Sequence, residues 1–165
     1  MRIIHTYPAD DVNGEGLRVV AFFAGCRWNC PGCFNPQTHS FDAGEPFTRE
    51  KEKELFDLVD HEYIDGITFS GGDPMFGGQE FLDILRRFRE RFGQTKTIWV
   101  YTGFETQAII DDPEMSEVFK LADVLCTGKF VKELTHPKKK WVGSNNQEVI
   151  YTKDYDLYRN RRGQR

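Results

Sequence analysis

Three cysteines stand close together in the first quarter of the chain, at Cys26, Cys30 and Cys33. Their C-x3-C-x2-C spacing allows three thiolates to converge on one inorganic centre. Three ligands leave a coordination position open, which admits water or substrate at zinc and an exogenous ligand at a four-iron cluster. In a reducing compartment such closely spaced thiols favour metal binding or redox chemistry over disulfides.

Two other chemistries compete with a cluster at these cysteines. His39, six residues after Cys33, offers a fourth ligand for a structural Cys3His zinc site. Cys30 and Cys33 also have the C-x-x-C spacing of a redox dithiol, but that motif normally follows a strand directly and does not need Cys26. Ligand number and spacing favour the cluster, then zinc, then the dithiol. Cys126 ends an apolar run and is interpreted as a small buried hydrophobe.

A second motif is the stretch Ser70-Gly71-Gly72-Asp73-Pro74. It lacks a side chain at two successive positions, so backbone groups can approach a ligand closely. It is not a phosphate loop, because Gly78-Gln79 stands where Lys and Ser or Thr are needed. A loop that offers carbonyl oxygens as well as amides suits an ammonium group better than a phosphate.

Apolar runs and amphipathic stretches alternate along the chain, and they are expected to position these motifs. Buried strands are predicted over residues 17–24, 66–70, 97–101 and 122–126. The intervening patterns predict a helix from an N-cap at Thr48 to Tyr63, a second over residues 81–92, and a weak helical stretch to Leu121 that restarts near Pro113. This order favours an α/β fold with a parallel sheet or part of an α/β barrel.

Each predicted strand ends in a small residue followed by glycine, as in Ala24-Gly25 and Ser70-Gly71. In parallel α/β architectures the loops after the strands' carboxyl ends gather on one face, where active sites form. The cysteines and the Gly-Gly-Asp motif are therefore expected to meet in one site.

Composition sets the broader class of the protein. A chain of 165 residues with 39% hydrophobic residues predicts one domain with a real core and excludes disorder throughout. Residues 1–152 are expected to form that domain, and residues 153–165 a polar basic tail. The net charge of −4 argues against nucleic acid as a partner. The absence of a long apolar run or an apolar signal core predicts a cytoplasmic protein without a membrane partner.

Together these motifs resemble the radical S-adenosylmethionine enzymes and, within them, the activating proteins of anaerobic ribonucleoside-triphosphate reductase. The resemblance covers roughly residues 7–149. It rests on Tyr7-Pro8 with Asp10; Val12-Asn13-Gly14 with Gly16 and Arg18; Cys26, Cys30 and Cys33 with Phe34-Asn35 and Thr38; Gly44 with Pro46-Phe47-Thr48; residues 70–74; Ile98-Trp99-Val100 with Thr102-Gly103; Gly128-Lys129-Phe130-Val131; and Trp141, Gly143-Ser144 and Asn146-Gln147.

The chain departs from the family pattern at a few positions: Glu15, His39, Thr127 and Asn145. His39 matters most, because it is a possible metal ligand, and we interpret it as a substitution facing the substrate or the core. Gly32 stands where many members of the superfamily carry an aromatic residue. Phe34 is then the nearest ring that can pack on adenine.

The resemblance implies a partial, open (β/α) barrel of parallel strands and two cofactors. One [4Fe–4S] cluster would be held by Cys26, Cys30 and Cys33, and its fourth iron would bind S-adenosylmethionine. Gly71, Gly72 and Asp73 would hold the methionine ammonium group, while Gly32, Cys33 and Phe34 would line the adenosine. No catalytic side chain is implied beyond the cluster and S-adenosylmethionine.

The implied activity is reductive cleavage of S-adenosylmethionine to a 5′-deoxyadenosyl radical, which abstracts hydrogen from a glycine Cα in the large subunit of the reductase. An electron donor such as flavodoxin is implied as a second partner. The candidates for contact with the glycine loop of the reductase, with core packing as the alternative, are Trp99, Tyr101, Trp141 and Asn146. Activation of another glycyl-radical enzyme and a zinc-binding module are the alternative functions.

Overall fold

In a computed structural model of the chain, which describes residues 1–155, seven strands form one open sheet. The strands are β1 (Arg2–Asp10), β2 (Arg18–Phe23), β3 (Glu45–Pro46), β4 (Gly66–Gly71), β5 (Thr97–Tyr101), β6 (Val124–Thr127) and β7 (Glu148–Tyr151). Their order across the sheet is β3-β1-β2-β4-β5-β6-β7. The α/β class is confirmed, and the four predicted strands form the parallel centre β2-β4-β5-β6.

The edges of the sheet differ from the expected all-parallel arrangement. β1 pairs antiparallel with β2 and with β3, and β7 pairs antiparallel with β6. None of these three edge strands was predicted. Antiparallel neighbours need no crossover helix, so these strands add to the sheet without adding to the β-α alternation that the sequence displays.

Helices connect the parallel strands: α1 (Arg49–Val59), α2 (Gln79–Phe92), α3 (Thr106–Asp111) and α4 (Met115–Leu121). The Thr48 hydroxyl accepts a hydrogen bond from the Lys51 amide, which confirms the predicted N-cap. The predicted continuation of this helix to Tyr63 is wrong, since α1 ends at Val59 and the chain must turn to enter β4. Pro113 lies between α3 and α4, where a restart was predicted.

All four α-helices lie against one face of the sheet. Successive residues of a strand point to opposite faces, so every second side chain packs with the helices. The side chains that pack with the helices are Val19, Ala21, Phe23, Ile67, Phe69, Ile98, Val100 and Leu125. The opposite face, called here the inner face, carries the alternate residues, among them Arg18, Thr68, Trp99 and Cys126. It is covered by the connection between β6 and β7 and not by helices, which leaves room for a cavity.

Two arginines of α2 connect it to α1: Arg87 forms two 2.7 Å hydrogen bonds to the Glu52 carboxylate, and Arg91 pairs with Asp57 and with Asp60 just after α1. These ion pairs fasten α1 and α2 side by side on the outer layer.

The predicted tail begins within the described residues and continues beyond them. The Thr152 hydroxyl donates to the Ala122 carbonyl at 2.6 Å, and the Tyr155 ring lies 5.3 Å from that of Phe119. The remainder of the expected tail, residues 156–165, lies outside the described residues. Within residues 1–155, no helix combines the length and the apolar character needed to cross a membrane.

Candidate functional site

The cysteine loop (residues 25–33) follows β2 directly at the carboxyl end of the parallel strands. The Cys33 amide donates to the Cys30 carbonyl at 3.1 Å, which closes a tight turn. Pro31 and Gly32 occupy its central positions, and Gly32 has φ of +75°, the left-handed conformation that a type II turn requires there. The Pro-Gly pair therefore turns the chain so that two cysteines flank one bend.

The three cysteines of this loop are free and half-buried. Burial raises the pKa of the Cys26 thiol, while the backbone amides of Trp28 and Asn29 donate to its sulfur and oppose that rise. The Asn35 amide donates to the Cys33 sulfur at 3.4 Å. Amide donors to sulfur are the interactions that stabilise thiolate ligands, so this donor set fits an iron–sulfur cluster.

The Cys3His zinc alternative requires the three sulfurs and a His39 nitrogen around a single ion. In the described part of the chain, no three His, Cys, Asp or Glu side chains are grouped as ligands of one metal ion. The His39 carbonyl instead accepts the Cys26 amide at 3.0 Å, and its buried Nε2 has no hydrogen-bond partner among residues 1–155. In a four-iron cluster each cysteine binds a different iron, so the three sulfurs need not surround one point.

The glycine loop (residues 70–74) begins with the last two residues of β4 and lies against the cysteine loop, as expected from the topology. The Gly72 amide donates to the Phe23 carbonyl at 2.8 Å, and the Asp73 amide donates to the Gly25 carbonyl at 2.9 Å. A Cβ at Gly72 would lie 2.4 Å from the Gly25 oxygen. The missing side chain thus lets two backbone segments touch, a role that the sequence did not suggest.

Asp73 joins three loops through its buried carboxylate. Oδ2 accepts hydrogen bonds from Trp28 Nε1 at 2.6 Å, from the Thr102 hydroxyl at 2.9 Å and from the Gly103 amide at 2.8 Å, and Oδ1 accepts from the Met75 amide at 3.1 Å. Burial raises the pKa of Asp73, and these four donors oppose that rise. The carboxylate therefore binds the protein itself and holds the cysteine loop, the glycine loop and the loop after β5 together.

A cavity of about 720 Å³ opens on the inner face beside both loops. Its volume lies within the range of small-molecule sites. Phe34 and Asn35 line it from just after the cysteine loop, Ser70 from the end of β4 and Tyr101 from the end of β5. The remaining lining residues are Tyr7, Asp10, Val12, Asn13, Phe22, Phe130, Trp141, Val142, Gly143 and Gln147. The carboxyl ends of three parallel strands and the β6–β7 connection therefore share one cavity.

The aromatic candidates divide between this cavity and the core. Tyr101 and Trp141 line the cavity, whereas the Trp99 ring is 2% exposed and packs against Trp141. Asn146 is exposed and donates to the Lys129 carbonyl at 2.8 Å. Cys126 is fully buried, as predicted, and burial raises the pKa of its thiol to about 12.

The sequence did not predict that β1 forms one wall of the cavity. Tyr7, Asp10 and Asn13 line the cavity from β1 and the turn after it. The Asp10 carboxylate accepts the Asn13 amide at 2.7 Å, which shapes this turn. The residues Ile3 to Tyr7 are mostly β-branched or aromatic and carried a strand signal, but Pro8 and the polar neighbours weakened it.

Comparison with known proteins finds an iron–sulfur family model and several relatives that share one name. A family model described as "4Fe-4S single cluster domain" matches residues 12–150. The chain is 40% identical over 153 residues to the anaerobic ribonucleoside-triphosphate reductase-activating protein of Salmonella typhi, covering 90% of this chain and 97% of that protein. It is 39% identical over 145 residues to the protein of the same name from Enterobacteria phage T4, covering 87% and 89%. The counterpart from Escherichia coli K12 is 37% identical over 147 residues, covering 87% and 94%.

Proposed function

Because the chain belongs to the 4Fe-4S single cluster family and, within it, to the anaerobic ribonucleoside-triphosphate reductase-activating proteins, we propose that it activates that reductase with S-adenosylmethionine as co-substrate. The chain is an activating enzyme with an iron–sulfur domain. We assign the cluster ligands to Cys26, Cys30 and Cys33, and the open sheet to a partial (β/α) barrel of the radical S-adenosylmethionine type.

One observation carries the proposal: the cysteine loop and the glycine loop touch at the carboxyl ends of neighbouring parallel strands, beside a cavity of about 720 Å³. A cluster held by the three cysteines would supply the one-electron reduction that breaks a carbon–sulfur bond of S-adenosylmethionine, and the resulting 5′-deoxyadenosyl radical would take hydrogen from a glycine Cα of the reductase. A zinc module would have no need for the glycine loop or for this cavity.

The residues of the chain bind and orient the reactants. The carbonyl oxygens of Gly71 and Gly72 accept from the methionine ammonium group, while Asp73 keeps their loop against the cysteine loop. The exposed Phe34 ring, which lies 5.0 Å from the Phe130 ring at the cavity wall, packs on the adenine. Gly32 and Cys33, which directly precede Phe34 in the chain, are assigned to the adenosine.

The second reactant is a polypeptide loop of the large reductase subunit, which enters the same cavity. Tyr7 and Val12 are exposed apolar side chains that line this cavity, so they present a surface suited to a peptide. Tyr101 and Trp141 lie deeper and exclude water from the reacting atoms. An electron donor such as flavodoxin and a cytoplasmic location complete the proposal.

Substituting Cys30 tests the ligand assignment. In anaerobically purified protein we expect about four irons and reductant-dependent cleavage of S-adenosylmethionine, and Cys30→Ala should abolish both. Cys126→Ala is the control: its side chain lies in the core, so iron content and cleavage should persist. Colourless wild-type protein with stoichiometric zinc would contradict the proposal, and loss of iron in Cys126→Ala would overturn the choice of ligands.

A further inference from the structure

Some lysine and arginine side chains of the described residues bind a carboxylate or a carbonyl oxygen, and others bind neither. Most lysines and arginines on the helices pair with carboxylates, as Lys53 does with Asp57 and Lys120 with Glu117. Others donate to backbone carbonyls, as Lys96 does. The side chains that do neither with any partner among residues 1–155 are Arg27, Lys129, Lys132, Lys138 and Lys140. All of these are exposed, and they form what we call the basic collar.

Three members of the basic collar, Arg27, Lys129 and Lys132, lie at the cysteine loop. Lys129 Nζ lies 4.5 Å from the centre of the Trp28 ring, and the Arg27 guanidinium lies 5.6 Å from the rings of Phe41 and Phe76. The Lys132 stem passes Gly32, where an added Cβ would lie 3.2 Å from its Cδ. The Lys129 ammonium therefore lies over a ring of the cysteine loop, and the alkyl stem of Lys132 packs on Gly32. Arg27, itself a residue of the loop, packs on rings outside it.

The remaining lysines of the basic collar come from the segment that follows β6. Residues 129–140 contain five lysines and one glutamate, in a chain whose net charge is −4. Lys139 anchors this segment by donating to the carbonyls of Asn145 and Gln147. A localised positive field on an acidic protein attracts an acidic partner to one place and repels it elsewhere.

The basic collar borders the cavity without lining it, and Lys140 Nζ lies 5.7 Å from the centre of the Trp141 ring. No residue of the basic collar lines the cavity, whereas Phe130 and Trp141, their neighbours in the chain, form the cavity wall. A peptide of the reductase can therefore occupy the cavity while another protein contacts the basic collar. The other protein would then lie directly over the loop that holds the three cysteines.

We propose that the basic collar is the docking surface of an acidic one-electron carrier protein that reduces the cluster. This inference rests on the proposed function, since cleavage of a sulfonium to methionine and a carbon radical consumes one electron. The carrier is oxidised by one electron, and that electron is used in breaking the carbon–sulfur bond. Small, weak and electrostatically steered interfaces are typical of such redox encounters.

The test reverses charge on the basic collar and measures binding and electron delivery separately. A photoreduced flavodoxin, used as the acidic probe, should drive S-adenosylmethionine cleavage about tenfold more slowly in the cluster-loaded double variant Lys129→Glu/Lys132→Glu at low salt. Added salt should slow the wild type toward the variant. Calorimetric binding of oxidised flavodoxin should weaken in parallel, whereas dithionite, which needs no docking, should drive cleavage at the wild-type rate.

The matched control is Lys53→Glu/Lys120→Glu, which changes the net charge equally at two exposed lysines on α1 and α4. It should keep wild-type binding and rates. Equal losses in both double variants, or unchanged flavodoxin binding by the collar variant, would overturn the docking surface. So would a collar variant that binds flavodoxin normally but no longer forms the glycyl radical on the reductase. Failure of the wild type with dithionite would instead reject the proposed function, and the binding measurement would still decide the collar.

Discussion

At the scale of single residues, Asp73 shows how a buried carboxylate can organise a site without touching a ligand. Folding leaves it 2% exposed and surrounds it with four hydrogen-bond donors from three loops. The Trp28 indole comes so close that a Cβ at Gly103 would lie 2.4 Å from its ring. The cysteine loop is therefore positioned by a side chain of the glycine loop, and the two motifs depend on each other.

We expect Trp28→Phe to cost about 1–3 kcal/mol of unfolding free energy, because a buried carboxylate loses a donor while the ring is largely retained. The cluster should also be lost faster in air. Asp73→Asn should cost at least as much, since an amide group turns one acceptor into a donor among donors. Urea unfolding and the decay of cluster absorbance measure the two effects. A double-mutant cycle with Asp73→Ala tests the hydrogen bond between Trp28 and Asp73. If Trp28→Phe lowers the unfolding free energy as much in the Asp73→Ala background as in the wild type, that bond contributes nothing to stability.

At the scale of elements, Asp123 joins α2 to the strands behind it. Its Oδ2 accepts from Arg89 of α2 at 2.6 Å and from the Ile98 amide of β5 at 2.8 Å. Burial raises the pKa of Asp123, but these hydrogen bonds and the Arg89 charge outweigh it, and the pKa is lowered. The ionised carboxylate is therefore stabilised more in the folded chain than in the unfolded one.

Folding lowers the pKa of Asp123, so its ionised carboxylate adds to the unfolding free energy. This stabilisation is complete above the unfolded pKa of about 3.9 and is lost as pH falls through the folded pKa. We expect Asp123→Asn to reduce the unfolding free energy by about 2–3 kcal/mol at neutral pH, with a smaller difference from wild type in acid. Urea titrations at several pH values measure this. Asp83→Asn, an exposed carboxylate of α2, is the control. A difference that stays constant down to the acid limit would contradict the assignment.

At the scale of the whole molecule, the cavity connects parts of the chain that are far apart in sequence. Its lining comes from β1, from the residues just after the cysteine loop, from β4 and β5, and from the connection between β6 and β7. A ligand that fills it contacts all these elements at once. Binding should therefore stabilise the complete fold rather than one loop.

S-adenosylmethionine at about 100 times its Kd should raise the unfolding free energy of the cluster-loaded protein by about 2.7 kcal/mol. At the same concentration Phe34→Ala should show a clearly smaller rise, because its ring is the predicted adenine contact. Tyr63→Ala is the matched control: Tyr63 is 63% exposed, Phe34 is 69% exposed, and Tyr63 does not line the cavity. Equal stabilisation of Phe34→Ala and wild type, measured by thermal unfolding, would contradict the adenine assignment.

The sequence by itself determined the parallel centre of the fold. Runs such as residues 17–24 and 66–70 are apolar enough to form buried strands wherever they lie, and the helical patterns between them require crossovers. The turn from Cys30 to Cys33 is also determined by the local sequence, since Pro31 and Gly32 set its backbone angles. The meeting of the cysteine and glycine loops followed from the topology of parallel strands.

Only the tertiary structure decided which strands form the edges of the sheet, where the cavity lies and which partners particular side chains contact. β1 and β7 are stabilised by pairing with β2 and β6, a long-range effect that short, partly polar segments do not reveal. The four donors of Asp73 and the Lys129 ammonium over the Trp28 ring depend on contacts between residues far apart in the chain. Such contacts arise only when the sheet brings strand ends together, so spacing along the sequence carries no record of them.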